Sequence, residues 1–433
     1  MIIPQVQLLL TGNELMSGDV IDTNSAMIAQ QFNQIGIEIQ RRVTIADNLE
    51  KLINEIKSLS LQCDILIING GLGPTVDDMT AQALAIAANK KIVRNPQAMQ
   101  HLHTWCKQRN YHLSDENKKQ ADLPEGCELI ANPIGSAVGF KLRLNHCDIF
   151  CTPGVPSELK QMIKNEICPQ LAQRIPPHLH TKITKLQVFG LGESSIQRLI
   201  NEQLPNWPQE IELGFRAAIP MIEIKLTSRS RLAEQQVSLW INKLQQLLGD
   251  HIIGRDNSKL NQVVVDLLIK KNRKLTCAES CTGGLIASKI TQISGASQVF
   301  EAGFVTYSNT MKSKLLAVNP NTLAQYGAVS EQTVVAMATG ALQASQADYA
   351  VAVSGVAGPT GGSKDKPVGM VWIAWGSKQN IQTSCLFIPN NRNYFQHFVT
   401  YASLDLIRRL LINSTEVPAY IKERQFNPLN TNK

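Results

Sequence analysis

The run Ala278-Glu279-Ser280-Cys281-Thr282-Gly283-Gly284 follows a short apolar, strand-like stretch and opens a helix-like one. A strand that turns through small residues into a helix is where α/β proteins place a nucleophile or an anion cradle. Downstream lie Tyr307-Ser308-Asn309-Thr310-Met311-Lys312 and a second glycine-rich loop, Ser354-Gly355-Val356-Ala357-Gly358-Pro359-Thr360-Gly361-Gly362-Ser363. Together they supply a hydroxyl, a candidate base and a loop rich in free backbone groups.

The 433 residues exceed the roughly 100–200 of one domain, so two or three are expected. Apolar residues at 43% and charged ones at 18% exclude a chain disordered throughout. The net charge of +7 is dispersed. The densest basic run, Lys270-Lys271-Asn272-Arg273-Lys274, reads as a helix C-terminus, where positive charge is favourable, and no nucleic-acid partner is expected. The nine cysteines form no disulfide framework and read as reduced thiols. Met1-Ile2-Ile3-Pro4 lacks a charged leader and no run reaches a membrane span, so the expected location is cytoplasmic, without a membrane partner.

Strand-like and helix-like stretches alternate from residue 6 to 88, the rhythm of stacked βαβ units. Residues 90–122 read as polar and helical, followed by strands near 129–131, 139–144 and 148–152. The prolines of Arg174-Ile175-Pro176-Pro177-His178 mark a linker. Residues 180–253 read as a small α+β module, and from 258 the βα rhythm resumes to a last helix over 393–412. The expected division is 1–173, 178–255 and 257–415, with 416–433 a flexible tail. The fold class is α/β, with a doubly wound sheet in the N-terminal segment, a small α+β middle module and an α/β C-terminal segment.

Ser280 admits two readings, a helix N-cap or a nucleophile with the amides of Thr282, Gly283 and Gly284 around an oxyanion. A serine needs a base, and with no Ser/His/Asp arrangement nearby, Lys312 with Tyr307 is the candidate pair. The lysine can serve only if burial or a second cation lowers its pKa; otherwise it is a solvated residue at a helix start. Cys281 is the rival nucleophile. The loop 354–363 lacks the Gly-Lys-Ser/Thr ending of a Walker loop, so it suits phosphate or ribose binding and not ATP hydrolysis.

The strings at 278–284, Val305-Thr306-Tyr307-Ser308-Asn309, Gly327-Ala328-Val329-Ser330-Glu331, 355–362 and Lys366-Pro367-Val368-Gly369 occur in order and resemble the C-terminal domain of the CinA family (competence/damage-inducible protein A). The resemblance implies a nicotinamide mononucleotide (NMN) amidohydrolase that forms nicotinic acid mononucleotide and ammonia without a cofactor. Ser280 would attack the carboxamide carbon while Tyr307 and Lys312 handle its proton. Substrate contacts would come from Glu279, Thr282, Gly283, Gly284, Ser354, Gly355, Gly358, Gly361, Gly362 and Arg392, the last within Asn390-Asn391-Arg392 where the family commonly has Gly-Asp-Arg.

In the N-terminal half, Asn69-Gly70-Gly71-Leu72-Gly73-Pro74-Thr75-Val76-Asp77-Asp78-Met79-Thr80 ends a strand and opens a helix. Its glycines admit an anion and its acids could hold a divalent metal; the alternative is capping by Thr75 or Asp77. Glu14, Asp22, Asp77, Asp78 and Glu158 are the candidate acids. The loops carrying Asn24, Gly135 and Gly154 also follow expected strands, where doubly wound sheets place ligands. This half resembles the molybdopterin-binding (MoCF) fold in its CinA version. The resemblance implies hydrolysis of ADP-ribose at Gly70, Gly71, Gly73, Thr75, Asn24, Gly135 and Gly154, with Mg, Mn or Co on Asp77, Asp78 and Glu14. Asn13 and Val138 depart from the family pattern.

His101-x-His103 reads as a solvated pair. The middle module resembles the KH-like insert of CinA proteins, but Gly190-Leu191-Gly192-Glu193 is not the GxxG clamp used on nucleic acid. It reads as a spacer or a contact in a homodimer. Two other functional classes stay open: a molybdopterin-binding N-terminal half, and a non-catalytic nucleotide-binding or competence-associated protein.

Overall fold

A computed structural model describes residues 4–175 and 181–426; Pro176, Pro177 and His178 of the expected linker lie outside the described residues. Packing divides the chain into two units, Met1–Ile183 with Thr227–Gln235, and Thr184–Leu226 with Gln236–Lys433.

The first unit is built on the apolar runs Val6–Thr11 and Ile65–Asn69, each buried along its whole length. Such runs suit parallel strands covered on both faces. They pair in parallel from Val6↔Ile65 to Leu10↔Asn69. The six-stranded order is Ile39–Ile45, Val6–Thr11, Ile65–Asn69, Cys147–Thr152, Gly139–Leu144, Glu128–Ile130. Successive side chains go to opposite faces: Leu8, Leu10, Ile65 and Ile67 meet Ile28, Phe32 and Ile163, while Leu9, Leu66 and Ile68 meet Leu52, Ile56 and Leu84. From Val6–Thr11 the chain moves to one neighbouring strand and then back to the other. A crevice therefore opens beyond Thr11 and Asn69, the switch point of a doubly wound sheet. The stretch 90–122 is not wholly helical. Ile92–Arg94 and Asp122–Pro124 pair as a small antiparallel ribbon around the helices Pro96–Gln108 and Asp115–Lys118.

The second unit repeats this logic. Its five-stranded order is Phe300–Val305, Leu275–Glu279, Tyr349–Gly355, Met370–Ser377, Asn380–Phe387. The first three are parallel and the last two antiparallel. Again the chain leaves the central strand to one side and returns on the other, so the switch point lies beyond Glu279 and Gly355. Leu275, Cys277, Val351 and Val353 pack on Val264, Leu268, Phe395 and Val399. On the opposite face Ala278, Ala350 and Ala352 meet Met337, Ala338 and Ala341 of the helix Glu331–Ser345. The edge strand Asn380–Phe387 is an element that sequence reasoning did not anticipate.

The middle module forms a separate sheet ordered Ile211–Ala218, Met221–Ser228, Lys182–Phe189, Ile252–Arg255. Its Phe189, Met221 and Ile253 belong to the same core as the last helix, Arg392–Leu411. Gly190 has φ +84°, and a Cβ there would come within 2.3 Å of the Tyr420 ring. The glycine is thus needed for close packing.

That ring also corrects the expected flexible tail. Ala419–Arg424 is helical, Tyr420 is buried, and the Phe426 amide donates to the Cys385 carbonyl at 2.9 Å; residues 427–433 lie outside the described residues. The Tyr420 hydroxyl donates to Asp405 at 3.0 Å, and Arg408 and Arg409 pair with the same carboxylate at 2.7 and 2.8 Å. All three ionic side chains are buried. Nearby His251 is buried with Nδ1 2.9 Å from the Phe189 carbonyl, and Nε2 accepts from Ala419 at 3.4 Å. This is the pattern of a neutral ring, and burial pushes its pKa below the ordinary value despite the Phe189 contact.

Asp405→Ala should therefore destabilise the second unit by about 3–5 kcal/mol, because it strands two buried guanidiniums. Tyr420→Phe should cost about 1.5–3 kcal/mol. Denaturant midpoints measure both. With His251 depressed in the folded state, the unfolded chain binds more protons as pH falls below about 6.5. The wild type should lose stability on that acid side, and His251→Gln should flatten the loss.

Candidate active site

Ser280 follows the central strand, and its amide donates to the Val353 carbonyl at 3.1 Å, which ties the turn to the next strand. Ser280 does not cap the following helix. Gly284, with φ 100°, holds the N-cap of Leu285–Thr291 without a side-chain bond. The hydroxyl instead lies 3.0 Å from Lys312 Nζ.

Lys312 is fully buried. Ser308 caps its helix, Asn309–Leu316, by accepting from the Met311 amide at 3.2 Å, and this first turn aims the lysine back under the sheet edge. Beside Ser280, Nζ has the carbonyls of Thr306 at 2.8 Å and Tyr307 at 3.4 Å, and it forms no ion pair among the described residues. Burial pushes its pKa below the ordinary lysine value, opposed by the Cys281 sulfur. A neutral amine has two N–H donors and one lone pair. The two carbonyls can take the donors, which leaves the lone pair for the Ser280 proton.

Burial pushes the Cys281 thiol up to about 12, so the rival nucleophile stays protonated at neutral pH. Tyr307 is exposed, and its phenol oxygen accepts from Arg392 Nη2 at 3.1 Å, so it does not reach Ser280 as a second base. Arg392 Nη1 also donates to the Gly358 carbonyl at 3.0 Å, joining the 354–363 loop to the start of the last helix. The Ser354 hydroxyl donates to the Ala328 carbonyl at 2.7 Å and ties the start of that loop to the turn before the helix Glu331–Ser345.

Glu279, expected to touch substrate, is fully buried. Its carboxylate accepts from Thr282 Oγ1 at 2.6 Å and from the amides of Gly284, Ile286 and Ala287 at 3.0, 3.1 and 2.9 Å. It shapes the turn rather than the substrate pocket. The Gly284 amide is thereby taken, and that of Gly283 donates to the Ser280 carbonyl at 3.2 Å. Among the described residues, the Cys281 and Thr282 amides have no oxygen acceptor and face no such claim. Gln396, absent from the sequence reading, steadies the turn by donating to the Cys281 carbonyl at 2.8 Å.

In the first unit a cleft of about 520 Å³ occupies the switch point. Glu14, Asp22, Asn24, Gly70, Gly71, Gly73, Asp77, Asp78, Gly154 and Glu158 all line it. Thr75 stands beside it, its amide and hydroxyl donating to Asp78 at 2.9 and 2.6 Å. Gly135 does not line it; a Cβ there would meet Glu158 at 2.0 Å, so the glycine serves packing. The wall holds carboxylates and no lysine, arginine or histidine. Asp47, which sequence reasoning missed, is in that wall and accepts from the Asn13 amide at 2.9 Å. It follows the strand Ile39–Ile45, the position where the switch-point rule would have found it. Among the described residues no three His, Cys, Asp or Glu side chains converge at metal-holding distance, so Glu14, Asp77 and Asp78 are not a preformed ligand set.

The two sheets with ligand-facing switch points define a two-unit α/β protein with a buried Ser–Lys pair in one unit and an acidic cleft in the other. Residues 257–411 match the CinA C-terminal domain, and residues 7–173 match a probable molybdopterin binding domain. A CinA-like protein of Colwellia psychrerythraea is 56% identical over 98% of this chain and 99% of its own. One from Shewanella woodyi is 38% identical over 98% and 100%. The solved competence/damage inducible protein CihA of Agrobacterium tumefaciens is 38% identical over 35% of this chain and 96% of its own, with a TM-score of 0.34. The chain belongs to the CinA family. No helix among the described residues is long and apolar enough to cross a membrane.

Because the Lys312 pKa is depressed on folding, the unfolded chain binds the extra proton between the folded value and about 10.5. Stability should rise with pH through that window. Lys312→Met should melt higher than wild type at neutral pH and lose this rise, as thermal scans between pH 7 and 10 would record.

Proposed function

We propose that the second unit hydrolyses the carboxamide of NMN, with Ser280 as nucleophile and Lys312 as base. The observation that carries this reading is the 3.0 Å contact between a serine hydroxyl and a fully buried amine that has no carboxylate partner. Ser280 Oγ attacks the carboxamide carbon as its proton passes to Lys312 Nζ. The amides of Cys281 and Thr282, free of an oxygen acceptor among the described residues, would hold the oxyanion. The Lys312 ammonium then protonates the amino nitrogen of the tetrahedral intermediate, the C–N bond breaks, and ammonia leaves. Water repeats the sequence on the acyl-serine and releases nicotinic acid mononucleotide. The nucleotide portion falls to the 354–363 loop and Arg392, and Tyr307 orients that arginine through its phenol.

The first unit is proposed to hydrolyse ADP-ribose to AMP and ribose 5-phosphate. Its support is the glycine-lined cleft at the switch point. A wall of carboxylates without a basic residue disfavours a bare diphosphate. A divalent cation would offset that repulsion, although the carboxylates as arranged give it no three-ligand site among the described residues. The match of residues 7–173 to a molybdopterin binding domain supports a second reading, a pterin-binding cleft. A cytoplasmic, homodimeric enzyme of pyridine-nucleotide salvage completes the proposal.

Purified protein given NMN without added metal should release ammonia, and Ser280→Ala and Lys312→Met should each lower the rate by orders of magnitude with the fold retained. Normal turnover in Ser280→Ala would overturn the mechanism. ADP-ribose should yield AMP only with added divalent cation; hydrolysis undiminished by EDTA would remove the cation from the account.

A further inference from the structure

Cys63 and Cys147 stand at the starts of two neighbouring parallel strands of the first unit, Ile65–Asn69 and Cys147–Thr152, paired in register from Ile65↔Asp148. Their sulfurs are 3.7 Å apart. Among the described residues this is the one sulfur–sulfur contact within hydrogen-bond reach, although most of the nine cysteines are buried. The Asp148 amide donates to the Asp64 carbonyl at 2.9 Å, so the two backbones are held side by side at the cysteines.

Cys63 also forms part of the wall of a shallow surface depression of about 530 Å³, with Gln62, Asp64, His146 and Arg174. Both cysteines are buried, and the depression brings solvent to the Cys63 side of the pair, at the end of the sheet opposite the acidic cleft. The contact with Cys147 lowers the Cys63 pKa and raises that of Cys147, which casts Cys63 as the first sulfur to react.

We propose that Cys63 and Cys147 are a hydroperoxide-oxidisable pair that closes to an intramolecular disulfide. The Cys63 thiolate attacks one oxygen of hydrogen peroxide; the O–O bond breaks, leaving a sulfenic acid and hydroxide. The Cys147 sulfur then attacks the Cys63 sulfur, the S–O bond breaks, and the hydroxyl leaves with the Cys147 proton as water. Two thiols and one peroxide give one disulfide and two waters. The sulfurs need to close from 3.7 Å to about 2.05 Å, a shift within the reach of side-chain rotation and small strand movement. The product ties together the two strands whose far ends, at Asn69 and Thr152, carry the acidic cleft. The site is independent of both proposed activities.

The full chain would be treated with a few equivalents of hydrogen peroxide, blocked with iodoacetamide and mapped by peptide mass spectrometry. The expected result is a Cys63–Cys147 cross-linked peptide pair two hydrogens lighter than the reduced pair, reversed by dithiothreitol, with the other seven cysteines alkylated. In Cys147→Ala, dimedone should label Cys63; in Cys63→Ala, Cys147 should remain a thiol. The oxidised wild type should melt higher than the reduced protein, since the cross-link restricts the unfolded chain. Absence of the linked peptide in folded wild type, a link between other cysteines, or dimedone on Cys147 alone would overturn the proposal.

Discussion

An amine buried without a carboxylate is the constraint around which the second unit is arranged. Lys312 meets one serine hydroxyl and two carbonyls, so desolvation favours its neutral form, opposed by the Cys281 sulfur. A protein that placed a lysine there for stability alone would have done better with a methionine. The cost is localised to one side chain, and the rest of the turn is over-determined to hold it. Glu279 is the counterpart. It is buried too, but its carboxylate accepts from three main-chain amides and one hydroxyl. One buried ionisable group fixes the shape of the turn and the other is left free to exchange a proton.

Both units place their candidate chemistry by the same topological means. In each sheet the chain leaves a central strand for one neighbour and returns to the other, so two loops diverge at the strand ends and leave a crevice. In the first unit that crevice is open and acidic. In the second, Ser280 follows one of the diverging strands and the buried Lys312 lies beside it. The shared topology therefore explains where each site lies and says little about its chemistry, which comes from the side chains. The buried cluster of Asp405, Arg408, Arg409 and Tyr420 acts at the other end of the last helix, binding the 419–424 segment to the same core that takes Phe189 of the middle module.

Much of this was legible in the sequence. The largely apolar runs at 6–10 and 65–69 announced strands of βαβ units, and the glycine-rich strings announced the loops at their ends. Ser280 and Lys312 could be paired because no histidine offered a competing triad. The burial of Lys312 was not legible, since Ser308-Asn309 reads equally well as the start of an exposed helix. Glu279 was misread for a related reason: a carboxylate beside a nucleophile looks like a ligand contact until the turn brings the Gly284, Ile286 and Ala287 amides onto it. Tyr307 was paired with Lys312 for want of a histidine triad, and its exposed phenol accepts from Arg392. The edge strand at 380–387 was hidden by its polar side chains, and the 419–424 helix by flanking prolines and a polar tail. In both cases a tertiary contact, not local pattern, decides the structure.

The protonation state of Lys312 is the central claim, and a heteronuclear NMR titration of its side-chain Cε and Nζ in the folded wild type tests it most directly. The account predicts an Nζ resonance that titrates below the ordinary lysine range and that returns toward it when water is admitted by Ser280→Gly. A resonance that titrates with the surface lysines, or above them, would contradict the assignment of Lys312 as the base.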